Sequence, residues 1–237
     1  MIDLMNLKFW IIVNGYKDWA KQTANEVENF IIAKKHTVEN KENQDVCIII
    51  GGDGTIFYNK DKIHGAIFAI GGPQSKVCQA KQENWKPMLE KILKKLVVEE
   101  RAALSAKIND EYVGWAINDI VVHSRKHNFV ELAVSFQKQT YEFGGDGVIV
   151  STPTGASGYA YSAGGFVLNK SDFLVEIVPI CPYLRKFTPK LVSINADINI
   201  TCKGAADLIL DGQRIIEFEE CDKITICGDK TINFVVV

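Results

Sequence analysis

The chain has 237 residues, 47% of them apolar and 24% charged. That composition can bury a core and is not the composition of a disordered chain. Its 27 basic and 29 acidic residues leave a formal charge of −2, which excludes a generally basic nucleic-acid binder, because no cationic surplus exists to displace counterions. No apolar run approaches the roughly 20 residues a membrane-spanning helix requires, so no membrane partner is expected. The run Phe9–Val13 is too short for the core of a secretion signal. Six cysteines stand at 47, 78, 181, 202, 221 and 227 without a Cys-x-x-Cys pair. This scatter predicts reduced thiols in a cytoplasmic protein, not a disulfide framework or a zinc site. His123 and His127 lie four apart, but at a strand end and in a loop, and are read as surface or pocket histidines, not metal ligands.

The first half alternates strand and helix patterns. Residues 7–13 (LKFWIIV) predict an apolar strand ending at Asn14-Gly15. Ala20, Ala24, Val27, Phe30 and Ile31 then fall at helical spacing, predicting a helix over 18–35 with Asp18 as its N-cap. A short buried strand, 46–50, runs directly into Gly51-Gly52-Asp53-Gly54-Thr55. The segment from Thr55 to Ala66 is too short to be expected as a full helix. Another strand at 66–70 stops at Gly71-Gly72-Pro73. Trp85, Met88, Leu89, Ile92, Leu93 and Leu96 predict an amphipathic helix over 84–98. This order implies an α/β N-terminal domain, residues 1–98, with a mainly parallel sheet.

After about residue 99 the helical periods disappear. Short β-rich runs follow at 103–108, 112–123, 129–137, 147–151, 173–180, 190–202, 206–210, 214–218, 223–227 and 231–236. Asn109-Asp110, Gly144-Gly145 and Gly228-Asp229 read as turns between them. An all-β C-terminal domain, 99–237, is expected.

Three segments carry chemistry. The glycines of Gly51-Gly52-Asp53-Gly54-Thr55 remove side chains from a turn after a parallel strand, where backbone N–H groups of α/β proteins meet phosphates. Asp53 could take a proton, hold a metal or bind a sugar hydroxyl, and a plain turn with an acid at its tip has the same sequence. The stretch 145–165 carries Asp146, Ser151, Thr152, Thr154, Ser157, Ser162 and two tyrosines: small hydroxyls give hydrogen bonds without bulk, and a tyrosine ring gives a flat face for a base. Asn118 and Asp119 are adjacent polar residues within an apolar strand. They must point to opposite faces, and a buried Asp needs a partner, a ligand or a bulge.

GGDGT after a strand, then AINDIVV, DGVIVSTPTGASGYAYSAGG, Pro179-Ile180-Cys181-Pro182 and Leu210-Asp211-Gly212-Gln213 together resemble the NAD kinase family, in that family's order and approximate spacing. The long Ser-Thr-Pro-Thr-Gly stretch is the specific part, since diacylglycerol and sphingosine kinases share GGDGT. The resemblance implies a sandwich-like β domain behind the α/β domain, with a nucleotide site formed by both. It also implies phosphorylation of the adenosine ribose 2′-hydroxyl of NAD by ATP with Mg²⁺. On this resemblance Asp53 is the catalytic acid, and Gly51, Gly52, Gly54 and Thr55 share its site. Asn118 and Asp119 hold NAD, and Asp146 lies near the nicotinamide half. Thr154 and the segment Ser157, Gly158, Tyr159, Ala160, Tyr161 and Ser162 line the adenine and ribose pocket, and Gln213 is a further substrate contact. No residue is assigned as a metal ligand. Dimers or tetramers are the family's habit.

Some positions depart from the family pattern. Ile70–Cys78 stands where a Gly-Ile-Asn segment and a Leu-Gly-Phe-Leu stretch are usual. Gly144 replaces a common basic residue, and Tyr183 replaces a His. Lys76 could substitute as a phosphate-binding cation, though a solvated lysine is the plainer reading. The first departure motivates a second function, an NAD- or nucleotide-binding sensor without kinase activity. A lipid or sphingoid-base kinase is a third reading, which the hydroxyl-rich 151–162 loop opposes. The choice of ATP or polyphosphate, and of NAD or NADH, stays open.

Overall fold

The computed structural model describes residues 6–39, 44–126 and 128–237; His127 lies outside them. The chain divides into two compact units, residues up to Glu100 together with Asn233–Val237, and Arg101–Ile232.

The first unit contains β1 (Lys8–Val13), α1 (Asp18–Ala33), β2 (Thr37–Val38), β3 (Val46–Ile50), α2 (Asp53–Asn59), β4 (Ala66–Gly71), β5 (Ala80–Lys81) and α3 (Trp85–Lys94). Strands β2, β1, β3 and β4 pair in that order, all parallel, with Trp10 opposite Cys47 and Ile48 opposite Phe68. β5 extends the end of β4, and Phe234 pairs in parallel with Ile67. Every residue of β3 and β4 is buried, which is why both read as unbroken apolar runs. Ala20, Val27 and Ile31 of α1 and Trp85, Leu89 and Ile92 of α3 share a core with Phe9, Ile50 and Phe68.

Four local expectations change here. Lys17, not Asp18, occupies the N-cap of α1, and Asp18 is its first residue, paired to Lys21 at 3.1 Å. The helix stops at Ala33, and Lys35 takes a left-handed φ of 64°. The interval after Thr55 does form a helix, because α2 starts within the glycine turn itself and gains a residue or two from it. α3 ends at Lys94 because Lys95 is already extended (φ −154°, ψ 108°), which frees Val98 to begin a strand.

That strand is β6 (Val98–Ile108), followed by β7 (Glu111–Ala116), β8 (Asp119–Ser124), β9 (Val130–Phe136), β10 (Gln139–Gly145) and β11 (Gly147–Ser151). After a short helix, α4 (Tyr159–Ser162), come β12 (Leu174–Ile180), β13 (Lys190–Ser193), β14 (Ile198–Lys203), β15 (Ala206–Leu210), β16 (Arg214–Glu217) and β17 (Ile224–Val235). In the second unit β10, β9, β14 and β17 form one antiparallel array, with β6 and β7 as a hairpin. A second antiparallel sheet has the order β13-β12-β11-β8-β15-β16. Val134, Ile200 and Ile226 from the first array meet Val122, Val150, Ile177 and Leu208 from the second in one core. This is the sandwich the resemblance implies.

The β pattern also departs from expectation in places. The run 112–123 breaks at Ile117-Asn118, and 190–202 breaks at a turn where Ala196 N–H donates to Ser193 C=O. Gln139–Gly145, with few apolar residues, is a paired strand, so Gly144-Gly145 is not a turn. Gly228-Asp229 lies inside the single strand β17, where Gly228 has no left-handed φ. The run 231–236 therefore continues the preceding strand, and its end belongs with the first unit, through Phe234, instead of the second.

Ile200 is fully buried and Ile215 is 65% exposed. Ile200→Ala is expected to cost about 2–4 kcal/mol of stability and Ile215→Ala less than about 0.5 kcal/mol. Chemical denaturation of both variants measures the contrast, and equal losses would contradict this core.

Candidate functional site

In the first unit the site is built on the end of β3. Gly52 has φ 107° and ψ 179°, a region that only glycine occupies without strain. A Cβ at Gly51 would lie 2.4 Å from the Asn14 Cβ, so the turn packs directly on the end of β1. The Asn14 amide donates to Thr55 Oγ1 at 3.3 Å, and Lys17 Nζ donates to the Gly51 carbonyl at 2.6 Å. Thr55 is thus spent on holding the turn, and Gly54 is exposed.

Asp53 is half-buried, and its carboxylate is bracketed by backbone. Oδ2 accepts Lys76 N–H at 2.6 Å, and Oδ1 accepts Val77 and Cys78 N–H, each at 3.1 Å. The same loop carries the sequence departure, and it holds Asp53 mainly through these amides, with the Cys78 thiol as a further hydrogen-bond partner. Lys81 Nζ in turn donates to the Ser75 carbonyl. Burial, with the Asp53 carboxylate beside it, pushes the Cys78 thiol far above the ordinary range, which makes it inert as a nucleophile.

In the second unit three chain segments converge at one end of the second sheet. β8 runs antiparallel to β11 and β15, with Asp119 opposite Ser151 and Ile120 opposite Leu210. The start of β8 therefore lies beside the ends of both neighbours. The Asp211 carboxylate accepts Ile117 N–H at 3.0 Å and Asn118 N–H at 2.7 Å. This explains the break between β7 and β8: a side chain replaces the ladder at those two residues. Thr152 completes the junction. Its hydroxyl donates to the Ile117 carbonyl at 2.6 Å and accepts Thr154 N–H at 3.1 Å and Gly155 N–H at 3.3 Å. Its own N–H donates to the Asn118 carbonyl at 2.8 Å. Asn118 Oδ1 is left buried without a hydrogen-bond partner among the described residues.

The remaining predicted residues divide by role. Tyr159 and Tyr161 are 43% and 56% exposed, so their ring faces are available, and Ser157 and Gln213 are exposed. Ser162 Oγ donates to the Gly158 carbonyl at 3.1 Å. Ala160 is fully buried against Val121, Ile149 and Val178, so its methyl anchors α4 to the sheet. Thr154 is 4% exposed. Asp146 lies at the opposite end of β11 from Asp119, hydrogen-bonded to the Cys181 thiol and raising it. Burial, then the charges of Cys181, Asp119 and Asp146, raise Tyr159. Sequence reasoning missed Thr152 and Asp211 as organisers. Both stand within quoted motifs, but nothing in the residue pattern says that they bond backbone across 35 and 94 positions. Among the described residues no group of three or more His, Cys, Asp or Glu side chains could hold a metal ion. A separate cavity of about 490 Å³, lined by Phe129, Phe143, Tyr183, Lys186 and others, contains none of the predicted residues.

Asp119 is 7% exposed. Burial, then the nearby charge of Asp211, pushes its carboxyl up to about 7 from 3.8. The folded state therefore holds a proton that the unfolded state releases above about pH 4. Stability from this group is full below that pH and is lost as pH rises through about 7, by on the order of 2–4 kcal/mol. Asp119→Asn is expected to match wild type in unfolding free energy near pH 4 and to exceed it at pH 8. Parallel pH profiles for the two proteins would refute this assignment.

Residues 117–236 match the sequence model of the ATP-NAD kinase C-terminal domain. The NAD kinase of Treponema denticola is 31% identical over 246 residues, covering 92% of this chain and 87% of that protein. The NAD kinase of Methanoregula boonei is 30% identical over 194 residues, covering 79% and 72%. The structure is similar to that of an NAD kinase from Archaeoglobus fulgidus in complex with ATP, with TM-score 0.81 and 27% identity over 98% of this chain and 94% of that one. It shares its fold with yeast NADH kinase complexed with NADH, with TM-score 0.85 at 17% identity over 98% and 84%. With more than half of its length matched by the family's domain and full-length relatives at this identity, the chain belongs to the NAD kinase family.

Proposed function

We propose that the protein is an NAD kinase that transfers the γ-phosphate of ATP to the adenosine ribose 2′-hydroxyl of NAD and releases NADP. The observation that carries the reading is the junction of Asn118, Asp119, Thr152 and Asp211 within the matched domain, where the buried Asn118 Oδ1 has no partner among the described residues. A buried acceptor of that kind suits a ligand donor such as an exocyclic amine. The exposed rings of Tyr159 and Tyr161 suit an adenine face. Asp119, Asp146, Thr154, Ser157, Gly158, Ser162 and Gln213 are assigned to the same dinucleotide, with Ala160 holding their segment in place.

Asp53 is assigned to the reacting hydroxyl. Phosphoryl transfer through a loose transition state needs alignment and charge neutralisation more than a strong base. A carboxylate fixed by three amides keeps one geometry, and Oδ2, which accepts a single amide, has a second lone pair for a hydroxyl proton. It orients that hydroxyl and accepts its proton late, as the bond to phosphorus forms. Gly51, Gly52, Gly54 and Thr55 form the turn that presents it. Mg²⁺ is assigned to the ATP substrate, since this ion commonly keeps its waters and binds phosphate oxygens in preference to an all-protein cage. The sensor reading finds no support at Asp53, because the divergent loop still supplies amides to the acid.

A cytoplasmic site of action fits six cysteines that are all free. Assembly into dimers or tetramers fits the outer positions of β13 and β16 in their sheet. Light scattering tests the latter.

Incubation with NAD, ATP and Mg²⁺ is expected to yield NADP. Asp53→Asn is expected to lower turnover by at least about a thousandfold, while the affinity for NAD stays within about tenfold. Turnover near wild type in that variant would remove Asp53 from the chemistry. NAD binding by wild type without product would replace the kinase by a sensor.

A further inference from the structure

Glu176 lies in β12 between Val175 and Ile177, which both point into the sandwich core. Its side chain is therefore on the opposite face, with Val178 and the α4 anchor Ala160. It is 0% exposed. An acid buried there has a desolvation cost that a valine would not have, so its place calls for a reason. Oε2 accepts Phe166 N–H at 2.7 Å, and Oε1 is buried with no partner among the described residues. Burial raises this carboxyl, against the opposing pull of the Phe166 bond.

The loop is shaped to receive it. A Cβ on Gly165 would lie 2.4 Å from Glu176 Oε2 and 2.8 Å from the Ala160 carbonyl, so only glycine admits the carboxyl so close. Gly165 N–H donates to that same Ala160 carbonyl at 2.9 Å. The segment from Ser157 to Phe166 is thus fastened at both ends. Thr152 holds the approach to it, and Glu176 holds its exit.

We infer that Glu176 is a positioning residue for the nucleotide-binding segment, its carboxyl clamping Gly165-Phe166 to β12 so that Ser157, Tyr159 and Tyr161 keep a fixed presentation toward NAD. The inference rests on the NAD reading for its kinetic consequence but not for the clamp itself. Glu176 touches no reacting atom in this assignment, so its loss should act on NAD binding and spare the chemical step.

Three variants test it. Glu176→Gln has the shape of the neutral acid and keeps the acceptor. Glu176→Leu fills the space without an acceptor, and Glu176→Ala leaves a void. Leu and Ala are expected to raise KM for NAD about tenfold or more, with kcat and the KM for ATP within about threefold of wild type, and Gln to restore KM for NAD to within about twofold. In the protein without nucleotide, hydrogen exchange of amides 159–166 is expected to be about tenfold faster in Leu and Ala but not in Gln. Unchanged exchange in the well-packed Leu variant would overturn the clamp. Faster exchange with an unchanged KM for NAD would overturn its role in binding. A wild type that makes no NADP would defeat the kinase reading separately, and exchange would still decide whether Glu176 clamps the segment.

Discussion

The handover from β7 to β8 is the constraint on which the second unit depends. Two consecutive amides, Ile117 and Asn118, lose their ladder partners there, and a buried amide without an acceptor costs about as much as a broken hydrogen bond. Asp211 accepts both amides, and Thr152, from a different loop, donates to the carbonyls of the same two residues. In doing so they bring the ends of β11 and β15 to the start of β8, and a strand interruption becomes a convergence of three loops. Apart from Asp146, at the other end of β11, the polar residues proposed to meet NAD follow from that convergence, because they occupy the positions where the sheet has run out and backbone no longer consumes every donor and acceptor.

The arrangement places two carboxylates together, and their environments separate their roles. Asp211 is held by two amides and serves the backbone. Asp119, shielded from water and close to that charge, retains its proton to about pH 7. A buried acid that stays neutral can donate a hydrogen bond, which an ordinary aspartate cannot do at this pH. Across the same sheet Glu176 has a similar character, again buried and again with its carboxyl raised. The outer face of the second sheet thus carries polar groups at a cost to stability, while the inner face is almost wholly aliphatic.

Much of this was legible in the residues. Continuous apolar runs identify β3 and β4, and the periods of α1 and α3 identify the helices that cover them. Glycines flanking Asp53 and hydroxyls around Thr154 mark the proposed site, and the order of motifs points to the family. What was not legible depends on contacts between distant positions. Asn118 and Asp119 look like polar intrusions in one strand, and only the bonds from Asp211 show that the strand ends between Ala116 and Asp119. Gln139–Gly145 carries only Tyr141 and Phe143 as apolar side chains toward the core and ends in two glycines, too short a pattern to mark a strand, so pairing with β9 defines it. Glu176 is indistinguishable from a surface glutamate until Gly165 and Phe166 are placed over it.

The bracket around Asp53 bears on how this enzyme could diverge. Lys76, Val77 and Cys78 support the carboxylate with their main-chain nitrogens, a donor that every residue except proline offers, and of their side chains the Cys78 thiol also hydrogen-bonds to it. Selection for the acid's orientation therefore constrains the path of this loop more than its alphabet, with Cys78 as the position where the side chain also takes part. A stretch that looks foreign when letters are compared can be the same scaffold in another spelling.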